Sequence, residues 1–228
     1  MSIRTTFDQD LQALRDKVIR LGSMVDTAIA RSMQALKERD RSLAQQIIAE
    51  DENINEMRFE IEKDSVVLIA RQQPNAHDLR LIVAAMNIVL DLERMGDHAA
   101  GIATIVLRMG DEPLLKPLID LPRMTRISRE MLRASLDAFT EENAEKAMTV
   151  AERDDEVDEL YNQIFRELVT FMLEDPRTVT RAMYLLFCSH NLERIADRVT
   201  NICERVVFVS TGEMEEIPSE AGTEQGVS

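Results

Sequence analysis

The chain has 228 residues, of which 42 are acidic and 27 basic, giving a formal net charge of −15 at neutral pH. A surface that acidic repels phosphodiesters and anionic lipid, which argues against nucleic acid or a membrane surface as main partner and favours cations and basic protein surfaces. With 7 Gly, 6 Pro, no Trp and many Ala, Leu, Ile, Met, Glu and Arg, the composition predicts long helices with few connections.

In chain order, Phe7, Leu11, Leu14, Val18, Leu21, Val25, Ile29 and Leu36 recur at spacings near three and four, the pattern of an amphipathic helix. Asp40 offers an N-cap for a second run through Leu43, Ile47, Ile54, Met57, Ile61 and Leu68, which ends at Gln73-Pro74. Asn75 caps a third helix that runs to about Arg108 and stops at Gly110. Residues 111–122 hold Pro113, Pro117 and Pro122 and read as a linker. A fourth helix is expected from about Arg123 to Thr140, a fifth from Asn143 to Glu174, and a sixth from about Arg177 to Val209. The polar, acidic stretch 210–228 reads as a disordered tail.

The opening MSIRTTFDQD lacks the apolar core of a signal peptide, and the longest apolar-rich run, Leu79 to Leu92, is interrupted by Arg80, Asn87 and Asp91. Cys188 and Cys203 fall on one predicted helix, roughly 22 Å apart at 1.5 Å per residue, too far for an intrachain bridge. These features predict a cytoplasmic protein in a reducing compartment.

The second half repeats the first. LERMGDHAAGI at 92–102 aligns with LERIADRVTNI at 192–202, and EDENINEM at 50–57 matches RDDEVDEL at 153–160 in pattern. The expected fold is therefore all-α, with six long helices in two tandem antiparallel three-helix bundles related by duplication: 1–110, then the linker 111–122, then 123–209.

Glu93 and Asp97, Glu193 and Asp197, and Asp154 and Asp158 are each one helical turn apart on one face; their counterpart on the second helix is Asp51 with Asn55. Pairs on neighbouring helices lie at similar distances from the Pro74 and Pro176 turns, which predicts that they sit at the same level of an antiparallel hairpin. Convergent carboxylates destabilise a bundle unless compensated, either by hard metal ions or by arginines such as Arg80, Arg181, Arg94 and Arg194. His190 lies on the face of Glu193 and Asp197, whereas His77 and His98 are expected at the surface. Met24, Met33, Met57, Met86 and Met95 read as core filler. No Gly-rich phosphate loop, Cys cluster or Ser/His/Asp constellation is present, so an enzyme is not expected.

The segments IARQQPNAHDLR (69–80), DLERMGDHAAGI (91–102) and NLERIADRVTNI (191–202) resemble the PhoU family of bacterial phosphate-signalling proteins. The resemblance covers about residues 7–209. It implies two three-helix bundles with pseudo-two-fold symmetry and a non-enzymatic role. It also implies acidic motifs holding iron, zinc, manganese or magnesium. These map best onto Glu93, Asp97, Glu193 and Asp197, then Asp154 and Asp158, with Asp51 completing the first half; Asn55 departs from the pattern and predicts weaker metal binding there. The implied partners are the ATPase subunit PstB of the phosphate ABC transporter and the sensor kinase PhoR, in negative control of phosphate uptake and of the phosphate regulon. Paired apolar helix faces make a homodimer the expected assembly. Two other readings stay open at this point. A ferritin-like or oxidase-like di-metal protein would need Glu-x-x-His on two helices, whereas His190-x-x-Glu193 is reversed and single. A metal-free helical adaptor would satisfy its acids with Arg.

Overall fold

The structure is a computed structural model that describes residues 3–214, 216 and 217. Its elements are α1 (Ile3–Glu38), α2 (Arg41–Gln72), α3 (Ala76–Met109), α4 (Asp120–Glu141), α5 (Ala144–Ala151), α6 (Asp154–Glu174), a 3-10 turn (Pro176–Thr178) and α7 (Val179–Thr211), with no strand among the described residues. No helix among them is long and apolar enough to cross a membrane.

The helix boundaries follow from local chemistry. Asp40, in an extended conformation, accepts a hydrogen bond from the Leu43 amide at 2.9 Å and opens α2. Asn75 and Asn143 do the same for α3 and α5 through the amides of Asp78 and Lys146. Arg39 and Glu142, 103 residues apart, both take positive φ (54° and 51°) as the chain turns out of α1 and α4. The duplication is thus visible even in the turns.

Three boundaries differ from the sequence expectation. The fourth helix starts at Asp120 rather than near Arg123, because only Pro113 and Pro117 lie outside it and Pro122 is accommodated in its first turn. The sixth begins with the 3-10 turn at Pro176, capped by Asp175 through the Arg177 amide. The fifth is two helices. Asp154, Asp155 and Glu156 form the first turn of α6, at the positive end of its helix dipole, while Arg153 at the break pairs with Glu130 at 3.0 Å and Glu156 at 3.2 Å. Of the tail expected from residue 210, Ser210 and Thr211 belong to α7, Gly212 caps it at φ 83°, and Ile217 packs against the core and donates its amide to Glu204. Residues 215 and 218–228 lie outside the described residues.

α3 and α7 form the centre. Each is covered by the other helices of its own half, and the two pack against one another while α1 packs on α4, so the halves share a continuous apolar core. The crossing of α3 and α7 carries a pseudo-symmetric polar clasp. Asp91 on α3 accepts from Asn201 (3.2 Å) and Arg198 (3.5 Å) on α7, and Asn191 on α7 meets His98 Nδ1 (3.0 Å) on α3. Gly101 permits the second contact, since a Cβ there would stand 3.0 Å from Asn191 Oδ1. Burial pushes the Asp91 carboxyl up against the opposing pull of Asn201 and Arg198.

A second lock joins α1 to α4. Gly22 lets Leu136 approach so closely that a Cβ would fall 2.2 Å from its Cδ1. One turn on, Asp26 accepts two hydrogen bonds from Arg129 (2.8 and 2.9 Å) and one from Arg133 (2.8 Å). Burial works to raise the Asp26 carboxyl, but the arginines prevail and hold it below the usual carboxylate range. Asp26→Asn is expected to cost about 2 kcal/mol near neutral pH, the scale for losing charge-assisted hydrogen bonds. Because the folded-state pKa is depressed, the wild-type advantage is present above about pH 4 and is lost as pH falls through the folded value. Urea unfolding of both proteins at pH 7 and pH 3 checks the magnitude and the sign.

Candidate metal centres

The helical hairpins bring the predicted carboxylates together. In the second half, Asp154 and Asp158 of α6 face Glu193 and Asp197 of α7. Burial raises the carboxyl of Asp154 to about 8, and the charges of Asp158, Asp197, Asp155 and Glu193 add to the shift. Burial likewise brings Glu193 to about 7, helped by Asp197 and opposed by Arg194. Asp158 and Asp197 are also raised, in each case chiefly by burial. In the first half, burial and the charges of Asp97 and Glu93 push Asp51 up to about 6, and Glu93 is raised by burial and by Asp97. All seven acidic residues singled out in the sequence therefore lie in two clusters at equivalent levels of the two hairpins.

The clusters are not equivalent. Asp154 is buried, whereas its counterpart Asp51 is half-buried and Asp97 is exposed. Asn55 stands where Asp158 stands in the other half. Gly96 rather than Ala lies beneath Asp51; a Cβ there would meet Asp51 Oδ1 at 3.1 Å and Ile54 Cδ1 at 3.0 Å.

Arginine compensation differs from expectation. Arg80 donates to the Val209 carbonyl at 3.4 Å and packs at Gly212, and Arg181 acts on Asp175; both stand away from the clusters because their helix positions face the ends of the bundle. Arg194 does reach the second cluster, with Nη1 2.8 Å from Asp197 and Nε 3.1 Å from Glu193. Arg94 draws Glu93 down, as does Arg58 of α2, which sequence inspection missed because it is not part of the repeated motif. Its side chain also stacks on Phe59 at 4.4 Å.

Histidines add to the second cluster. His190 Nδ1 lies 3.5 Å from Glu193 Oε2, with the ring against Tyr161. His98 is half-buried rather than at the surface, because the α3–α7 crossing folds it onto Asn191, and its field reaches Asp197 and His190. Only tertiary packing could show this. His77 is exposed and pairs with Glu142 at 2.9 Å.

Among the described residues, no three of these side chains stand in a ready-made coordination cage. The donor set nevertheless fits a cation. Its ligand-bearing atoms are carboxylate oxygens, and two of them, Asp154 Oδ1 and Glu193 Oε2, are buried without a hydrogen-bond partner; the Arg194 Nε near Glu193 is not aligned to donate. Hard divalent or trivalent ions suit oxygen-only ligands, and softer ions would draw on His190.

The fold and site define a tandem three-helix protein with a carboxylate cluster in each half. The PhoU domain model matches residues 18–106 and again 121–206. The chain is 42% identical to a phosphate-specific transport system accessory protein PhoU homolog of Clostridium acetobutylicum, over 92% of this chain and 96% of the relative. It is 36% identical to the homolog of Rhizobium meliloti, over 92% and 89% respectively. The crystal structure of the phosphate transport system regulatory protein PhoU from Streptococcus pneumoniae superposes with a TM-score of 0.86 at 34% identity, covering 92% of this chain and 99% of that one. The chain belongs to the PhoU family, whose members are regulatory accessory proteins and not enzymes.

The raised carboxyls fix the pH behaviour of chelator-treated protein. A carboxyl whose folded pKa is raised contributes stability that is fully present below its unfolded pKa, about 4, and lost as pH rises through the folded value, about 8 for Asp154. Asp154→Asn removes that loss. The variant is expected to match wild type near pH 4 and to exceed it by a few kcal/mol near pH 8, as read from urea midpoints in chelator. Equal midpoints at pH 8 would show that burial and the neighbouring charges do not raise the Asp154 carboxyl in this way.

Proposed function

We propose that this chain is a cytoplasmic negative regulator of phosphate uptake and of the phosphate regulon, an accessory protein of the phosphate-specific transport system. Its membership of the PhoU family carries the reading, since relatives matched over nine-tenths of the chain bear that accessory role in their names. In this reading the protein is an adaptor that docks on the ATPase subunit of the phosphate ABC transporter and on a sensor histidine kinase, and it acts as a homodimer. The acidic surface suits basic docking faces on such partners.

The carboxylate clusters serve this function as metal centres. Glu193, Asp197, Asp154 and Asp158 hold an ion of iron, zinc, manganese or magnesium in the second half, and Glu93, Asp97 and Asp51 do so in the first. A bound cation supplies positive charge that relieves carboxylate repulsion and ties α6 to α7 and α2 to α3. The protein's own contribution is to hold those side chains level on rigid helices. Any signal passes through a difference in partner affinity between the two loading states. His190 near Glu193 is a single contact and does not supply the paired Glu-x-x-His motifs of di-metal carboxylate oxidases.

Deleting the gene is expected to raise alkaline phosphatase activity in cells grown with abundant phosphate, and the wild-type gene to restore it; unchanged low activity would overturn the regulatory reading. Metal content separates the two centres. With Asp158 replaced by Asn55 and Asp97 exposed, the first centre is expected to lose its ion first during dialysis against chelator. Glu193→Gln with Asp197→Asn should therefore remove the slowly released ion, as measured by elemental analysis. Equal release from both halves would sink the asymmetry.

A further inference from the structure

A cavity of about 380 Å³ opens between α1 and α2 in the first half. Its apolar walls are Met24, Ala28, Ile47 and Ile54, Gly96 of α3 contributes to its lining, and Arg20, Thr27 and Arg31 line it from α1. The volume falls in the range of small-molecule sites.

The internal duplication provides a control for whether such a space is merely how this fold packs. At the offset of 103 residues that relates Arg39 to Glu142, the second half carries Ile127 for Met24, Glu130 for Thr27 and Met131 for Ala28; at the offset of 100 that relates Glu93 to Glu193, Ala196 replaces Gly96. Ile127, Met131 and Ala196 are buried, whereas Met24 and Ala28 are only partly so. Across the corresponding rim, Glu130 is bridged by Arg126 (2.8 Å) and Arg153 (3.0 Å), which closes the surface. The break between α5 and α6 falls at this level too, while α2 runs straight past it. The same fold thus closes the space in one half and leaves it open in the other, through smaller side chains at the cavity wall.

The charges at the opening define the occupant. Arg31 is engaged by Glu50 and Gln46, but Arg20 makes no ion pair or hydrogen bond among the described residues and is exposed at the cavity mouth. Asp51 lines the cavity next to Gly96, where it repels an anionic group and accepts from a donor.

We propose that the first half holds a small-molecule site, absent from the second, for an apolar organic anion whose hydrophobic body lies on Met24, Ala28, Ile47 and Ile54 and whose acidic group faces Arg20. Asp51 belongs both to this lining and to the first carboxylate cluster, so the test is done in chelator to hold metal loading constant. Titration with 8-anilinonaphthalene-1-sulfonate, an apolar aromatic sulfonate, is expected to give one saturable, fluorescence-enhancing site per chain. Ala28→Met, which installs the residue of the closed half, and Thr27→Glu, which places a carboxylate on the exposed rim, should each weaken binding about ten-fold or more. Arg20→Gln should weaken it several-fold, and less so at high salt, where screening already reduces the charge term. Helicity and melting temperature establish that the variants fold, and Thr27→Glu carries the test if Ala28→Met does not. No saturable site in the wild type, or dye affinity unchanged by both α1 substitutions in folded protein, overturns the proposal.

Discussion

The structure depends on the crossing of α3 and α7. These helices are the most deeply placed in the molecule, and each is the wall on which its own hairpin partner and the other half are packed. Their apolar faces supply the adhesion, with Leu92, Met95, Ile102, Leu192, Ile195 and Ile202 fully buried. Apolar faces alone do not fix how two helices cross, because several ridge-into-groove angles are available. The Asp91–Arg198–Asn201 and His98–Asn191–Gly101 contacts select one of them, since another crossing would leave the buried Asp91 carboxyl without its partners.

That crossing also explains how the molecule tolerates its carboxylates. Glu93 and Asp97 are offset from the buried stripe of α3 by a fraction of a turn, as Glu193 and Asp197 are on α7. The core holds these helices rigidly, so the acids of α2 and α6 are presented against them without freedom to withdraw. The result is an upward displacement of the Asp51, Asp154 and Glu193 carboxyls, caused first by burial and then by repulsion from the neighbouring acids. The repulsion is confined to two places and leaves the rest of the acidic surface free to find arginine and lysine partners, as Lys17 does with Glu60 and Asp64 and Lys116 does with Glu167.

Duplication accounts for the overall symmetry, and divergence between copies accounts for the particular features. Asn55, Gly96 and Ala28 in the first half, against Asp158, Ala196 and Met131 in the second, change charge, backbone approach and volume at equivalent positions. The second half consequently has the more buried acid cluster, and the first has the more exposed one, with an apolar-walled cavity beside it.

Much of this was legible in the sequence. The three-and-four spacing from Phe7 to Leu36, the caps at Asp40, Asn75 and Asn143, and the repeated Leu-Glu-Arg-x-x-Asp are local signals, and local hydrogen bonding and helix periodicity are enough to turn them into helices with carboxylates on one face. Equal distance from a Pro turn also placed the acids at one level, since an antiparallel hairpin conserves rise per residue. The break at Glu152–Arg153 was harder to see because it depends on Arg153 finding Glu130 on another helix. The places of His98, Arg58 and Arg80, and the open space over Gly96, were decided by which helix packs on which and at what angle. Those are contacts between residues far apart in the chain, and helical spacing carries no information about them.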